Sequence, residues 1–135
     1  MDKIEHIGIA VKNLEKSNII FAKLFGKKHY KMEEVASEGV KTSFFKVGTN
    51  KIELLEATNP NSPIAKFLAK KGEGVHHIAF AVNDITAEIK RLKEEGFIVL
   101  NETPKKGADN KLVAFLHPKS TNGVLIELCE EIKDK

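Results

Sequence analysis

Two histidines open two nearly matching strand-like segments, HIGIAVKNL at residues 6–14 and HIAFAVNDI at 77–85, an offset of 71 residues. Two glutamates recur in the same way, in IELLE at 52–56 and IELCE at 126–130, an offset of 74. Imidazole nitrogen and carboxylate oxygen are metal-ligand atoms. A set of His6, Glu53, His77 and Glu127 would carry two negative charges, enough to neutralise one divalent cation. A lone strand histidine is ordinarily a satisfied polar residue. A His and a Glu that each return at the matched place in a second copy are hard to explain by packing alone. Mixed nitrogen and oxygen ligands suit zinc, cobalt, nickel, iron or manganese better than calcium or magnesium. Four protein ligands on a six-coordinate ion leave two positions for a bidentate substrate.

The elements that must hold these side chains also follow from the repeat. Between the His and Glu motifs, TSFFKV at 42–47 lies over VAFLHP at 113–118, again at offset 71. The change of offset follows a shared Thr-Asn, in GTNK and STNG, where turn chemistry accepts extra residues. The chain therefore reads as two tandem βαβββ modules, about 1–72 and 73–135, in one α+β domain whose cupped mixed sheet surrounds one metal site. Strands are expected at 3–11, 41–47, 51–57, 75–82, 111–117 and 124–130, from β-branched and aromatic content, with weaker patterns at 28–36 and 97–103. Helices are expected at 14–25 and 84–95, each after an Asn or Asp able to cap the first turn, and at 62–70, where Ser62-Pro63 suits a helix start. The segment TPKKGADNK, 103–111, has no periodicity and reads as a mobile loop and candidate lid.

Alternation along the strands decides which way the ligands point. Ile7, Ile9 and Val11 share one face, while His6, Gly8 and Ala10 share the other. In the second copy Ile78, Phe80 and Val82 lie opposite His77, Ala79 and Ala81. The bulky faces want helices against them, and the His faces carry only Gly and Ala beyond the ring, which leaves a hollow. Glu53 and Glu127 likewise point away from Ile52 and Leu54, and from Ile126 and Leu128. A carboxylate on a largely buried strand is costly unless paired or bound to metal. His29, His76 and His117 have no repeated partner and are read as structural or surface residues. Cys129, the only cysteine, is read as a small buried thiol without a role and excludes an intrachain disulfide.

The chain has 135 residues, 41% hydrophobic and 30% charged, which suits one compact domain with a real core. Its 22 basic and 19 acidic residues are dispersed, so no basic block points to nucleic acid. No apolar run reaches the roughly 20 residues that span a bilayer. The first apolar stretch is too short for a signal-peptide core, which leads to the expectation of a cytoplasmic protein acting on a small molecule.

With these residues in place, the sequence resembles the vicinal oxygen chelate superfamily over essentially its whole length. HIGIAVKNL, GTNKIELLEATNPNSPIAKFL, KKGEGVHHIAFAV and FLHPKSTNGVLIEL are similar to the methylmalonyl-CoA epimerases within it. The resemblance implies one divalent metal per chain, cobalt in preference to nickel, zinc or manganese, held by His6, Glu53, His77 and Glu127. Many epimerases carry Gln where Glu53 stands, and a His, Glu, His, Glu set is also that of glyoxalase I. For an epimerase the implied chemistry is removal and return of the proton between a carboxylate and a thioester carbonyl, through a metal-chelated enediolate. Glu127 is implied as one acid/base. The other falls in EEVASEGV, with Glu38 as the candidate, some relatives carrying the acid at the place of Ser37, and Glu33 or Glu34 as alternatives. The implied partners are an acyl-CoA substrate and a second copy of the chain in a homodimer. Three rivals share the fold. Lactoylglutathione lyase (glyoxalase I) is the first, although glutathione carboxylates call for arginine and this chain has only Arg91. A non-catalytic resistance-type binding protein is the second, and an extradiol dioxygenase the third.

Overall fold

The computed structural model describes residues 1–133. It contains eight strands, β1 (Lys3–Ala10), β2 (Lys31–Val35), β3 (Val40–Val47), β4 (Asn50–Ala57), β5 (Gly74–Ala81), β6 (Lys105–Lys106), β7 (Lys111–Leu116) and β8 (Ile126–Glu131). Three α-helices, α1 (Leu14–Phe25), α2 (Pro63–Lys71) and α3 (Ile85–Glu94), complete a mixed α+β fold. The chain divides into two compact units, one of His6–His76 and one joining Met1–Glu5 to the described residues from His77 on. The first five residues thus belong with the later unit, where the Asp2 N–H donates to the Ala81 carbonyl at 2.9 Å.

In the unit of residues 6–76 the strand order is β2-β3-β4-β1. β1 runs parallel to β4, with Gly8 beside Glu53, and β3 is antiparallel to both β4 and β2. Helix α1 starts where the pattern places it. Asn13 accepts from the Lys16 N–H, and Gly26 closes the helix at φ 74°. Its inner face meets the bulky strand face, and Val11, Leu14, Phe45 and Leu54 form a buried cluster with Phe21 and Phe25 packed on it. Helix α2, capped by Ser62 with Pro63 in its first turn, lies with Ala10, Leu55 and Ile64 in a second cluster. Gly39, at φ +63°, is where the chain turns beneath that helix. A Cβ there would stand 2.5 Å from Asn59 Nδ2 and 2.7 Å from Ser62 Cβ, so only glycine fits.

The other unit repeats the plan in the order β5-β8-β7-β6. β5 is parallel to β8, with Ala79 beside Glu127, and β7 is antiparallel to β8 and β6. Asp84 caps α3 through the Ala87 N–H, and Ile85, Ile89 and Leu92 bury against Val82, Ala114, Leu116 and Leu128. Two expectations need correction here. The stretch 97–103 is not a strand: only Val99 bridges to Leu116, because the chain leaves the edge of β7 after Asn101. The segment 103–111 is not an unpatterned loop either. It holds β6 and a 3₁₀ turn at Ala108–Asn110, and the Gly107 N–H closes onto the Lys111 carbonyl at 2.9 Å.

Candidate functional site

Each unit brings one His–Glu pair together. In the first, Gly8 and Glu53 are register partners and His6 lies on the same face two residues earlier. His6 Nδ1 stands 3.1 Å from Glu53 Oε2, and both residues are 5% exposed. In the second, Ala79 is the register partner of Glu127, and His77 Nε2 lies 3.1 Å from Glu127 Oε1. Those two residues are each 6% exposed. Small residues beside each ring, Gly8 and Ala79, make room for the neighbouring carboxylate to reach it. The alternation rule therefore placed both glutamates on the histidine face, as the apolar neighbours required.

The donor chemistry of each pair fits a transition metal. Ligand atoms at about 2.1 Å from an ion and at right angles to each other lie about 3.0 Å apart. The nitrogen–oxygen separation in both pairs is of that size. A buried carboxylate beside a neutral imidazole keeps its charge only with a hydrogen bond or a cation to hold it. Each pair is thus a two-toothed ligand built from one parallel strand pair, and the same local geometry is written twice.

The surroundings of the pairs differ. Phe44 on β3 is the register partner of Glu53, and Phe115 on β7 is that of Glu127. The Phe115 and His77 rings form a T-shaped pair, with centroids 6.2 Å apart and planes at 85°. Lys31 lies over the Phe44 ring, its Nζ 4.7 Å from the centroid. Glu38 ends a 3₁₀ turn, Ala36–Glu38, and is half-buried just before Gly39. Of the alternative acids, Glu33 is the register partner of Thr42, which in turn partners Leu55, so it shares the face of Glu53; Glu34 points to the opposite face.

The remaining histidines have structural surroundings. His29 meets Phe45 at 5.9 Å, and His76 forms a T-shaped pair with Phe67 at 4.9 Å. His117 caps the turn after β7, its Nδ1 accepting from the Lys119 N–H. Glu5 was assigned nothing by motif or repeat, yet it is 5% exposed. One of its carboxylate oxygens lies within 4.8 Å of Cys129 Sγ. Alternation would set Glu5 with Ile7 and Ile9, so no periodic signal could have found it. Glu56 and Glu130, the last residues of the two IEL-x-E motifs, also went unassigned. They accept from the backbone N–H of Leu14 and Ile85, each at 2.8 Å, at the starts of α1 and α3.

Comparison with known proteins gives the family. Residues 5–115 match the model of the Glyoxalase/Bleomycin resistance protein/Dioxygenase superfamily. A mitochondrial methylmalonyl-CoA epimerase of Dictyostelium discoideum is 42% identical over 96% of this chain and 78% of its own length. An ethylmalonyl-CoA/methylmalonyl-CoA epimerase of Cereibacter sphaeroides is 41% identical over 93% of this chain and 96% of its own. Among solved structures, a methylmalonyl-CoA epimerase in complex with methylmalonyl-CoA and NH4+ superposes with a TM-score of 0.93 at 35% identity, covering 97% of this chain and 95% of that one. With matches of this length and identity, the chain belongs to the Glyoxalase/Bleomycin resistance protein/Dioxygenase superfamily and, within it, to the methylmalonyl-CoA epimerases.

Proposed function

We propose that this chain epimerises methylmalonyl-CoA and does so with one divalent metal ion held by His6, Glu53, His77 and Glu127. The observation that carries the reaction is similarity across more than nine-tenths of the chain to proteins named for it. The observation that supports the ion is the buried His–Glu pair present once in each unit, at ligand-like separation. Cobalt is the preferred ion, with nickel, zinc and manganese as alternatives.

The substrate carbon that inverts lies between a carboxylate and a thioester, and its proton must leave on one face and return on the other. When bound, the ion supplies Lewis-acid stabilisation of the negative charge that develops on the substrate oxygens. Glu127 takes or returns the proton on one side, and Glu38 serves the other, with Glu33 as the alternative because it shares the face of Glu53. Burial of both pairs limits water near the carbanion-like species and so favours return of the proton over side reactions.

Glyoxalase I chemistry uses a matching ligand set but has less support. The one arginine, Arg91, is exposed on α3 and engaged by Glu88 three residues earlier, so its surroundings give no reason to place a glutathione carboxylate there. A homodimer and a cytoplasmic location complete the proposal. No described helix is long and apolar enough to cross a membrane.

The deciding experiment is α-proton exchange of methylmalonyl-CoA in deuterated solvent with cobalt-loaded protein, alongside metal analysis. The expected result is exchange of both enantiomers and about one ion per chain. Absence of exchange, together with turnover of the methylglyoxal–glutathione hemithioacetal, would replace this reading with lactoylglutathione lyase.

A further inference from the structure

The two units diverge at the edge of their third strand, β3 in one and β7 in the other. Along β3, strand β2 forms an unbroken antiparallel ladder from Lys31–Phe44 to Val35–Val40. Along β7 the incoming chain pairs only briefly. The His117 N–H donates to the Ile98 carbonyl at 2.7 Å, and the Leu100 N–H donates to the Phe115 carbonyl at 2.8 Å. The backbone then leaves the edge at Glu102–Pro104 and returns as β6, where Lys105 partners Val113. One ladder position on β7, the Phe115 N–H, would lie open between these contacts.

The side chain of Asn101 fills it and braces the next carbonyl on the same edge. Its Oδ1 accepts from the Phe115 N–H at 2.9 Å, and its Nδ2 donates to the Val113 carbonyl at 3.2 Å and to the Thr103 carbonyl at 3.3 Å. A primary amide carries the same donor and acceptor as a peptide group, so it can stand in for the missing strand. Asp keeps the acceptor but has no donor for the two carbonyls, and Ala keeps neither. The residue held in this way is not a remote one. Phe115 is the register partner of Glu127, and its ring makes a T-shaped contact with that of His77.

We propose that Asn101 is a positioning residue for the His77–Glu127 pair: its amide replaces an interrupted strand and fixes the Phe115 rung on which that pair rests, while the chain at 102–104 swings clear of the sheet. A catalytic reading of the effect rests on the epimerase proposal above, but the geometry can be read without it.

The test compares wild type with Asn101→Ala and Asn101→Asp, by amide hydrogen exchange at Phe115 and by steady-state α-proton exchange of methylmalonyl-CoA. In wild type the Phe115 amide should exchange as slowly as other β7 amides. In Asn101→Ala it should exchange at least about tenfold faster, and kcat should fall about tenfold with KM within about twofold, as expected when one buried N–H loses its acceptor. Asn101→Asp, which keeps that acceptor, should retain Phe115 protection and recover most of kcat. A wild-type Phe115 amide as labile as a surface loop overturns the proposal, even if the Ala variant fails to fold. So does an Ala variant that melts earlier but keeps kcat. An inactive wild type with a protected Phe115 amide would instead strike at the proposed reaction and leave the positioning role standing on the exchange data.

Discussion

In both pairs a carboxylate oxygen and an imidazole nitrogen sit side by side, so each glutamate is held by a neighbour that a bound cation would also engage. Glu127 is asked to do more than Glu53, since it is also proposed to move the substrate proton. Glu127→Gln keeps an oxygen for the ion but removes the base. It should slow α-proton exchange by at least about a hundredfold, the lower range for loss of a positioned acid/base, while metal analysis still finds bound ion. Glu38→Gln should slow exchange from one enantiomer and spare the other, which separate assays on the two enantiomers would show. Full rates in both directions would move the second base to Glu33. At this scale the sequence was most legible where a residue type recurs at a matched place. His6, Glu53, His77 and Glu127 were found that way. Glu5 and Asn101 have no repeated counterpart, and what they do depends on departures from strand alternation and strand pairing that no single-residue pattern encodes.

Helices α1 and α3 are each tied to a ligand strand at the first turn. Asn13 and Asp84 cap α1 and α3, and Glu56 and Glu130 add a carboxylate to the first free N–H of each helix. A carboxylate at a helix N-terminus gains from both the hydrogen bond and the aligned peptide dipoles. Glu56→Ala and Glu130→Ala should each cost about 1 kcal/mol, and the two losses should add because the sites lie in different units. Urea unfolding of the two single variants and the double variant would check both statements. The helix boundaries were nearly all written in capping residues: the expected 14–25 is the observed α1, and 84–95 and 62–70 differ from α3 and α2 by one residue at each end. The strand edges of the second unit were not. The chain leaves the edge after Asn101, whose amide takes the place of a peptide there, and hydrophobic alternation does not reveal the break.

The whole molecule is one plan built twice, and its cores repeat as its ligands do. Leu54 and Leu128 occupy equivalent places in β4 and β8, and both are fully buried under their own helix. Leu54→Ala and Leu128→Ala should each lower stability by about 2–5 kcal/mol, measured from urea midpoints; a much smaller loss at one site would show that its core can collapse around the deleted methyl groups. The duplication also explains why so much of the fold could be read. Two imperfect copies act as two independent measurements of one pattern, and chance resemblances rarely survive both. The paired glutamates of IELLE and IELCE carry a further consequence. Glu53 and Glu56 are three residues apart on one strand, so one faces its histidine and the other faces its helix, and the same holds for Glu127 and Glu130. A one-residue insertion in either strand ahead of its two glutamates would turn both carboxylates around at once, breaking a ligand and a cap in a single event. Length changes are therefore filtered out of these strands and tolerated in the turns before them, where the two copies do differ. Descendants of such a duplicated gene can exchange one ligand type for another, but they can scarcely shift where the ligands stand.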